Sequence, residues 1–268
     1  MTRLSLQRMR VTIVGSGNVA THISAALKNA GHRIVQVYSR NLQHAALLAY
    51  HVGAGATDDV NTLTINTDLF IISVKDDAVL PMVAQLAKYG KLIAHTSGAV
   101  ELLPMLEFTQ QAGVFYPLQT FSKTRELNFR EVPMCIEGAS ESITKTLEDL
   151  ARDISNKLYR VSSPQRKVLH LAAVFACNFT NHLYGIGEAL LKDSGMSFDM
   201  LRPLIAETAD KIKERSPFTV QTGPAVRNDE TTMAAHLQLL EKQPRLQEIY
   251  EVLSQDIIKN HNGVNGDG

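Results

Sequence analysis

Short apolar runs alternate with longer amphipathic stretches along the first part of the chain, up to about Ser162. The runs are rich in β-branched and aromatic residues, whereas the stretches between them repeat their apolar positions with helical spacing. The predicted strands are residues 11–14, 34–38, 69–74, 92–95, 114–116, 134–137 and 158–161, and the predicted helices between them include residues 19–29, 42–51, 78–88 and 143–153. This alternation predicts an α/β domain with a mostly parallel sheet and helices on both faces.

The pattern changes after Ser162, where the β-like runs stop and helical periodicity continues alone. Pro164 suits a first helical position, and residues 164–193 predict one long helix that is apolar over much of its circumference. Further helices are predicted at residues 198–214, 230–242 and 245–259. We therefore expect the α/β domain over residues 1–162, an all-helical substrate and dimerisation domain over residues 163–260, and a disordered tail over residues 261–268.

The wide apolar arc of the long helix has a consequence for assembly. A helix that is apolar on several sides is normally buried on several sides. A helical domain of about 100 residues has too few other elements to cover such a surface alone. We therefore expect a homodimer formed largely by the helical domain.

Composition and charge disfavour several classes of function. The chain has 268 residues, with 27 Lys+Arg and 27 Asp+Glu, so it lacks the basic excess typical of nucleic-acid binding. No apolar run reaches the roughly 18 residues that a membrane helix needs, and the first residues lack the apolar core of a secretion signal. Cys135 and Cys177 have no metal-ligand spacing and are interpreted as reduced, buried small hydrophobes. We expect a cytoplasmic protein without a metal site.

A glycine-rich segment lies directly after the first predicted strand. Its residues, Gly15-Ser16-Gly17-Asn18-Val19-Ala20, fit the spacing G-x-G-x-x-G/A and open the first predicted helix. Gly15 permits a tight turn, Gly17 lets the backbone approach a pyrophosphate, and the helix N-terminus faces the phosphates. This strand–loop–helix context predicts a Rossmann-type dinucleotide site that includes the first five of these residues. A glycine turn in an unrelated α/β fold is the alternative.

The second predicted strand ends in Tyr38-Ser39-Arg40-Asn41, where dinucleotide sites commonly carry a carboxylate for the ribose hydroxyls. Ser39 can donate a hydrogen bond to a 2′-phosphate, and the Arg40 guanidinium can pair with that phosphate and stack on adenine. The predicted cofactor is therefore NADP rather than NAD, with Val74 near its adenosine or pyrophosphate. A solvated arginine at a strand end is the alternative interpretation of Arg40.

Candidate reaction residues lie after the later strands, because ligands in open α/β sheets bind beyond the carboxyl ends of the strands. Ser97 and Gly98 can offer a hydroxyl and a backbone N–H to a substrate or to nicotinamide. A strand-to-helix turn capped by Ser97 fits the same residues equally well. Gln119 lies in residues 116–122, a polar and aromatic loop that suits either the wall of a cleft or ordinary loop packing.

Polar side chains also recur on the long helix. His170 and Asn178 share one helical face two turns apart, and His182 continues the row. Polar groups in an apolar helix cost free energy unless they find partners or a cavity, so the row indicates a functional cleft or a satisfied structural histidine. Arg227, in a segment rich in Gly and Pro, can hold a substrate carboxylate or form an interdomain salt bridge.

Taken together, these segments resemble a known family. The chain resembles the Rossmann-like NADP oxidoreductases of the deazaflavin-coenzyme-dependent type, which have a C-terminal helical domain of unknown function. The resemblance is carried by residues 15–20, 95–98, 116–121 and 170–179, by Gly223-Pro224 through Arg227, and by Asp229, Thr232 and His236-Leu237. More distantly, the chain is similar to pyrroline-5-carboxylate reductase and to the 6-phosphogluconate and 3-hydroxyacid dehydrogenases, which bind substrate between their two domains, usually as dimers or larger assemblies.

The similarity to the 3-hydroxyacid dehydrogenases does not extend to their catalytic residues. The 3-hydroxyacid dehydrogenases have a lysine four residues before an asparagine on their long helix. The residue four before Asn178 is Val174, so this catalytic pair is absent and hydroxyacid oxidation does not carry over.

These observations lead to one interpretation and two alternatives. We interpret the chain as an NADP-dependent oxidoreductase that transfers hydride to or from a small polar substrate in an interdomain cleft. His170 is the predicted acid/base, with Ser97 and Asn178 as catalytic residues that orient the substrate. The residues predicted to bind the substrate are Gly98, Gln119 and Arg227. A deazaflavin-linked enzyme with a large apolar cleft, and a non-enzymatic NADP-binding sensor or adaptor, are the alternatives.

Overall fold

Eight strands form one sheet in the N-terminal part of the chain, whose computed structural model describes residues 8–122 and 127–264. The strands are β1 (Arg10–Val14), β2 (Arg33–Tyr38), β3 (Gly55–Thr57), β4 (Leu69–Ile72), β5 (Leu92–His95), β6 (Ala112–Pro117), β7 (Met134–Gly138) and β8 (Leu158–Arg160). Their order is β3-β2-β1-β4-β5-β6-β7-β8, and every neighbouring pair is parallel except β6 and β7. The mostly parallel sheet is confirmed. The edge strand β3 was not predicted because its Gly-Ala-Thr sequence has no apolar run.

Helices cover both faces of this sheet. The helices between its strands are α1 (Asn18–Asn29), α2 (Leu42–Val52), α3 (Val79–Leu86) and α4 (Glu141–Ile154). Buried residues of α1, α2 and α4 form one core cluster with Leu69 and Ile71, while those of α3 form a second cluster with Phe70 and Ile72. Side chains alternate between the two faces of a strand, so the clusters lie on opposite faces of the sheet. The predicted helices on both faces are confirmed.

The C-terminal part of the described chain is helical. Its elements are α5 (Ser163–Ala173), a π-helical turn (Val174–Phe179), α6 (Thr180–Asp193), α7 (Arg202–Glu214), α8 (Glu230–Leu239) and α9 (Pro244–Val264). The first three follow one another without a break, so the predicted long helix is present but contains a π turn. Residues 261–264 belong to α9, so the expected tail is wrong for these positions. Between Pro244 and Gly263 the chain has neither glycine nor proline. A helix propagates readily where no such residue interrupts it.

The described chain divides into two compact units. The first ends at His182 and the second begins at Leu183, so α5 and the π turn belong with the sheet by their contacts. Ser163 and Arg166 of α5 are buried in that first unit. The division proposed at residue 162 marks instead where strands give way to helices. Positions 265–268 of the expected tail lie outside the described residues.

The long helical run differs from expectation in its burial. Phe175 is 62% exposed and Phe179 is 49% exposed, and α6 has no buried residue. Among the described residues of one chain, therefore, the apolar arc is not covered on several sides as the sequence led us to expect. Exposed aromatic rings at successive turns of one helix are typical of a surface that another molecule covers.

Candidate functional site

The turn after β1 is held against the end of β4. The N–H of Gly15 donates to the Tyr38 carbonyl over 2.8 Å, and its φ of +123° lies in the region that favours glycine. A Cβ added to Gly15 would lie 2.2 Å from the Ser73 carbonyl oxygen, so no other residue fits there without a backbone shift. Gly15 is therefore required by the fold itself.

Gly17 differs from Gly15 both in its backbone conformation and in the space around it. Its φ of −77° is available to any residue, and a Cβ added there would meet nothing within 4 Å. Gly17 is the N-cap of α1 and has no side chain to accept from the first backbone N–H groups of the helix. Among the described residues, packing gives no reason for a glycine at this position. Close approach of an anionic ligand to the backbone supplies one.

A cavity of about 770 Å³ lies beside this loop. Six of the predicted cofactor residues line it, namely Gly15, Ser16, Gly17, Ser39, Arg40 and Val74. The Ser16 hydroxyl donates to the Ser39 hydroxyl over 3.0 Å, which ties the glycine loop to the end of β2. Lys75 and Asp77 also line the cavity and were not among the predicted cofactor residues.

The other two predicted cofactor residues point elsewhere. The Asn18 side-chain amide donates to the Phe121 carbonyl over 2.9 Å, and Val19 packs against the apolar core. Neither side chain is among those that line the cavity. Their position in the first turn of α1 leaves their backbone N–H groups as the part that can serve a phosphate.

A second cavity, of about 450 Å³, lies between the loop after β6 and the long helical run. It brings together three predicted residues, Gln119, His170 and Asn178, and leaves out His182. In a uniform α-helix, the side chains of His170 and Asn178 would be about 80° apart around the helix axis. The π turn takes up one extra residue and reduces this offset to roughly 20°. The π turn therefore explains how both side chains reach one cavity.

Gly98 and Ser97 do not line this cavity, but Gly98 lies against His170, which does. A Cβ added to Gly98 would lie 2.7 Å from His170 Nδ1, so the Gly98 backbone lies directly against the imidazole ring. The Ser97 hydroxyl accepts from the backbone N–H groups of Ala99 and Val100, each over 3.0 Å. The turn-capping interpretation of Ser97 is thus present in the structure.

Arg227 belongs to the second unit. Its side chain is largely exposed, and its nearest described carboxylate is Asp229 at 4.0 Å. This distance is at the limit of an ion pair, so exposure weakens it further.

Tyr116 is a site residue that the sequence did not single out. Its hydroxyl lies 3.3 Å from His170 Nδ1, and it lines the same cavity. Burial raises the pKa of Tyr116 to about 12, so the phenol keeps its proton at neutral pH. A protonated phenol can donate to Nδ1 of the imidazole tautomer that carries its hydrogen on Nε2. Tyr116 was not predicted as a site residue because an aromatic residue in an apolar run is typical of a buried strand.

His95, at the end of β5, orders the turn that contains Gly98. The ring is fully buried, and its Nδ1 accepts from the Ser97 N–H over 3.1 Å. Burial and, secondarily, the positive charge of Arg166 lower the pKa of His95 to about 3. His95 is therefore a neutral structural residue at physiological pH.

The two cysteines have different environments. Cys135 is buried in β7, and burial raises its pKa to about 11. Cys177 is exposed and lines the second cavity, so its predicted burial is wrong. Its neighbours Ala176 and Asn178 are exposed as well. In the described ranges, no group of three or more His, Cys, Asp or Glu side chains is placed to hold a metal ion.

Comparison with known proteins fits this geometry. Family models match a Rossmann-like domain over residues 2–118 and a domain of unknown function, DUF2520, over residues 132–257. A structure from Bacteroides fragilis, named a "putative NADP oxidoreductase", is 42% identical over 95% of this chain and 100% of its own, with a TM-score of 0.90. The chain belongs to the family of Rossmann-like proteins with this C-terminal domain. The resemblance found in the sequence is confirmed.

More distant structures share the fold alone. A protein from Thermotoga maritima is 22% identical, covering 95% of this chain and 99% of its own, with a TM-score of 0.73. An imine reductase from Myxococcus stipitatus, in complex with NADP⁺, is 14% identical, covering 96% and 95%, with a TM-score of 0.65. No curated protein matches the sequence. No helix in the described ranges has the length and apolar character to span a membrane.

The depressed pKa of His95 predicts how acid affects stability. The unfolded chain binds a proton near pH 6.5, whereas folded His95 does so only near pH 3, so protons favour unfolding between these values. His95 should therefore lower the free energy of unfolding by up to about 1.4 kcal/mol per pH unit as pH falls below 6.5. His95→Asn keeps an acceptor for the Ser97 N–H but does not titrate. Measured by urea unfolding between pH 7 and pH 4, the free energy of unfolding should depend less steeply on pH in H95N than in the wild type. Identical slopes would contradict this environment for His95.

Proposed function

We propose that the protein is an NADP-dependent oxidoreductase that transfers hydride to or from a small polar substrate bound beside His170. The contact of His170 with the Gly98 backbone and the Tyr116 hydroxyl, at the rim of a cavity, carries this proposal. Both Gly98 and Tyr116 belong to the carboxyl-end region of the strands, where open α/β sheets bind ligands. The name of the relative from Bacteroides fragilis supports the same reaction class.

The first cavity suits the cofactor. The backbone of Gly15, Ser16 and Gly17 would hold the pyrophosphate, because Gly17 leaves the space that a side chain would fill. Ser39 and Arg40 would hold the 2′-phosphate of NADP, and Lys75 adds a second cation to the same cavity. When bound, the nicotinamide supplies or accepts the hydride.

The second cavity suits the substrate. His170 would give or take the proton that accompanies hydride transfer, while Tyr116 fixes the orientation of its ring. Asn178 and Gln119 would hydrogen-bond the polar group of the substrate. Ser97 would act by holding the turn of Gly98 rather than by contact with substrate.

Arg227 keeps one proposed role. As an exposed guanidinium with a weak partner, it would pair with a substrate that carries a carboxylate. A substrate without a carboxylate would not need it. The dependence of activity on Arg227 would therefore report the charge of the substrate.

The cofactor preference is testable without a substrate. NADP⁺ should bind the wild-type protein about tenfold or more tightly than NAD⁺, since a guanidinium–phosphate pair is worth roughly 1.5–3 kcal/mol. Arg40→Asp should remove this preference by weakening NADP⁺ binding alone. Calorimetric titration of both nucleotides measures it, with Arg33→Asp, an exposed arginine at the other end of β2, as control. Equal affinities in the wild type, or a preference that survives in R40D, would refute the NADP assignment.

The roles of His170 and Asn178 need a substrate search. Imines, ketoacids and hydroxyacids can be screened with NADPH or NADP⁺ by the change in nicotinamide absorbance. With any substrate found, His170→Ala and Asn178→Ala should each lower turnover by roughly two orders of magnitude, as for typical acid/base groups. NADPH affinity should stay unchanged, because neither side chain lines the first cavity. Full activity in both variants would end this assignment, and tight NADPH binding without any turnover would favour a sensor.

We also propose that the protein is a homodimer that covers the exposed apolar face of the long helical run. Val168, Leu171, Phe175 and Phe179 expose 68%, 56%, 62% and 49% of their surface in one chain, which a second copy would bury. Light scattering at micromolar concentration should give twice the chain mass. Phe175→Asp should give a monomer, whereas Tyr50→Asp, on the exposed face of α2, should not. A monomeric wild-type protein would refute this proposal.

A further inference from the structure

A buried ionic network ties the first turns of α5 to two distant segments. The Arg166 side chain is fully buried, and its Nη1 donates to Glu137 of β7 over 2.6 Å. Its Nη2 donates to the Val100 carbonyl, in the turn after β5, and to the Ser163 hydroxyl over 3.2 Å. Arg166 therefore joins α5, β7 and the β5 turn through one guanidinium.

Ser163 strengthens the same junction. Its hydroxyl donates to Glu137 over 2.7 Å and accepts from the Leu102 N–H over 3.0 Å. The Ser163 N–H donates to the other Glu137 oxygen over 2.9 Å. The Glu137 carboxylate thus caps the N-terminus of α5, where negative charge is favourable. Removing any one member leaves buried polar groups of the others unpaired.

The network lies one helical turn from the proposed acid/base. Arg166 and His170 are four residues apart on α5, so they share one face of the helix. Gly98, against which the imidazole lies, is two residues before Val100 in the turn that Arg166 holds. Arg166 thus fixes the helix that carries His170 and the backbone that His170 contacts.

We propose that Arg166 is the positioning residue of the His170 site. It acts through α5 and the β5 turn, and it holds the His170 ring against Gly98 and within hydrogen-bond distance of Tyr116. A guanidinium suits this junction because its two terminal nitrogens reach acceptors on different segments, whereas all three donors of a lysine lie on one nitrogen. The functional part of this inference rests on the proposed role of His170. The contacts of Arg166 do not depend on that role.

The test follows the His170 ring in the full-length protein labelled with ¹⁵N-histidine. His170→Gln assigns the ring signals by their loss, and Tyr116→Phe shows the signals without the phenol hydrogen bond. In the wild type, donation to Nδ1 favours one tautomer and separates the shifts of the two ring nitrogens. Arg166→Met combined with Glu137→Gln removes both charges and avoids an unpaired buried carboxylate. This double variant should shrink the separation to the value found in Y116F.

Matched controls separate positioning from general damage. Lys167→Met removes the exposed ion pair with Glu101, which joins the same two segments, and should leave the His170 signals as in the wild type. The ring of His32, held by the Met9 N–H and by Asp153, should keep its signals in every variant. The affinity for NADP⁺ should change less than twofold, since Arg166 does not line the first cavity. Arg166→Lys should fail to restore the wild-type separation.

Two results would overturn the inference. One is a double variant that keeps the wild-type His170 signals, and the other is wild-type signals in R166K. If the double variant does not fold, Ser163→Ala provides the same test, because it removes the acceptor for the Leu102 N–H and keeps both charges. S163A should then shift the His170 signals toward those of Y116F, and unchanged signals would count against positioning. A shifted His170 signal together with full activity of H170A would refute the proposed function and leave the inference standing.

Discussion

The ion pair of buried Arg166 with half-buried Glu137 is the interaction on which the geometry of the second cavity depends. A guanidinium taken out of water costs several kcal/mol unless its donors find acceptors, and attraction to one carboxylate seldom compensates fully. Here the acceptors come from three segments that lie far apart in sequence: Glu137, Val100 and Ser163. The pair is therefore poorly explained as a device for stability alone. It specifies how the first turns of α5 meet the sheet, and the wall of the cavity follows from that junction.

The two cavities use the strand ends of one sheet in different ways. At the first, the carboxyl ends of β1 and β4 are brought so close that only Gly15 fits between them, while Gly17 leaves open space. At the second, the ends of β5 and β6 present a backbone and a phenol to His170. We propose that the first site receives the phosphate backbone of a dinucleotide and that the second receives a separate substrate beside His170, as hydride transfer between the two requires.

Local patterns were enough to predict most of the sheet, the long helix and the glycine loop. These features depend on residues near one another in sequence, such as the apolar run of β4 or the spacing of Gly15 and Gly17. Gln119, His170 and Asn178 were also expected near one another, and they line one cavity. The alignment of the last two nevertheless depends on a π turn, which no periodicity of the surrounding residues indicates.

The remaining features arise from contacts between distant segments. Tyr116 reads as a buried strand residue, and Arg166 reads as a solvated charge in the first turns of an amphipathic helix. Their importance appears only when β6, β7 and α5 are brought together, over separations of 29 to 66 residues. The pattern of apolar and polar residues along the chain does not show which distant residues will contact one another in the folded protein.

Transfer of the hydrogen itself tests the central claim, that the His170 cavity is a site of hydride transfer. NADPH deuterated at both C4 positions can be incubated with the protein and a panel of imines and ketoacids, and the products analysed by mass spectrometry. The account predicts a product that gains one deuterium with the wild-type protein, at a rate that falls by roughly two orders of magnitude in H170A. Tight binding of NADPH with no deuterium in any product, or equal rates of transfer in the wild type and H170A, would contradict it.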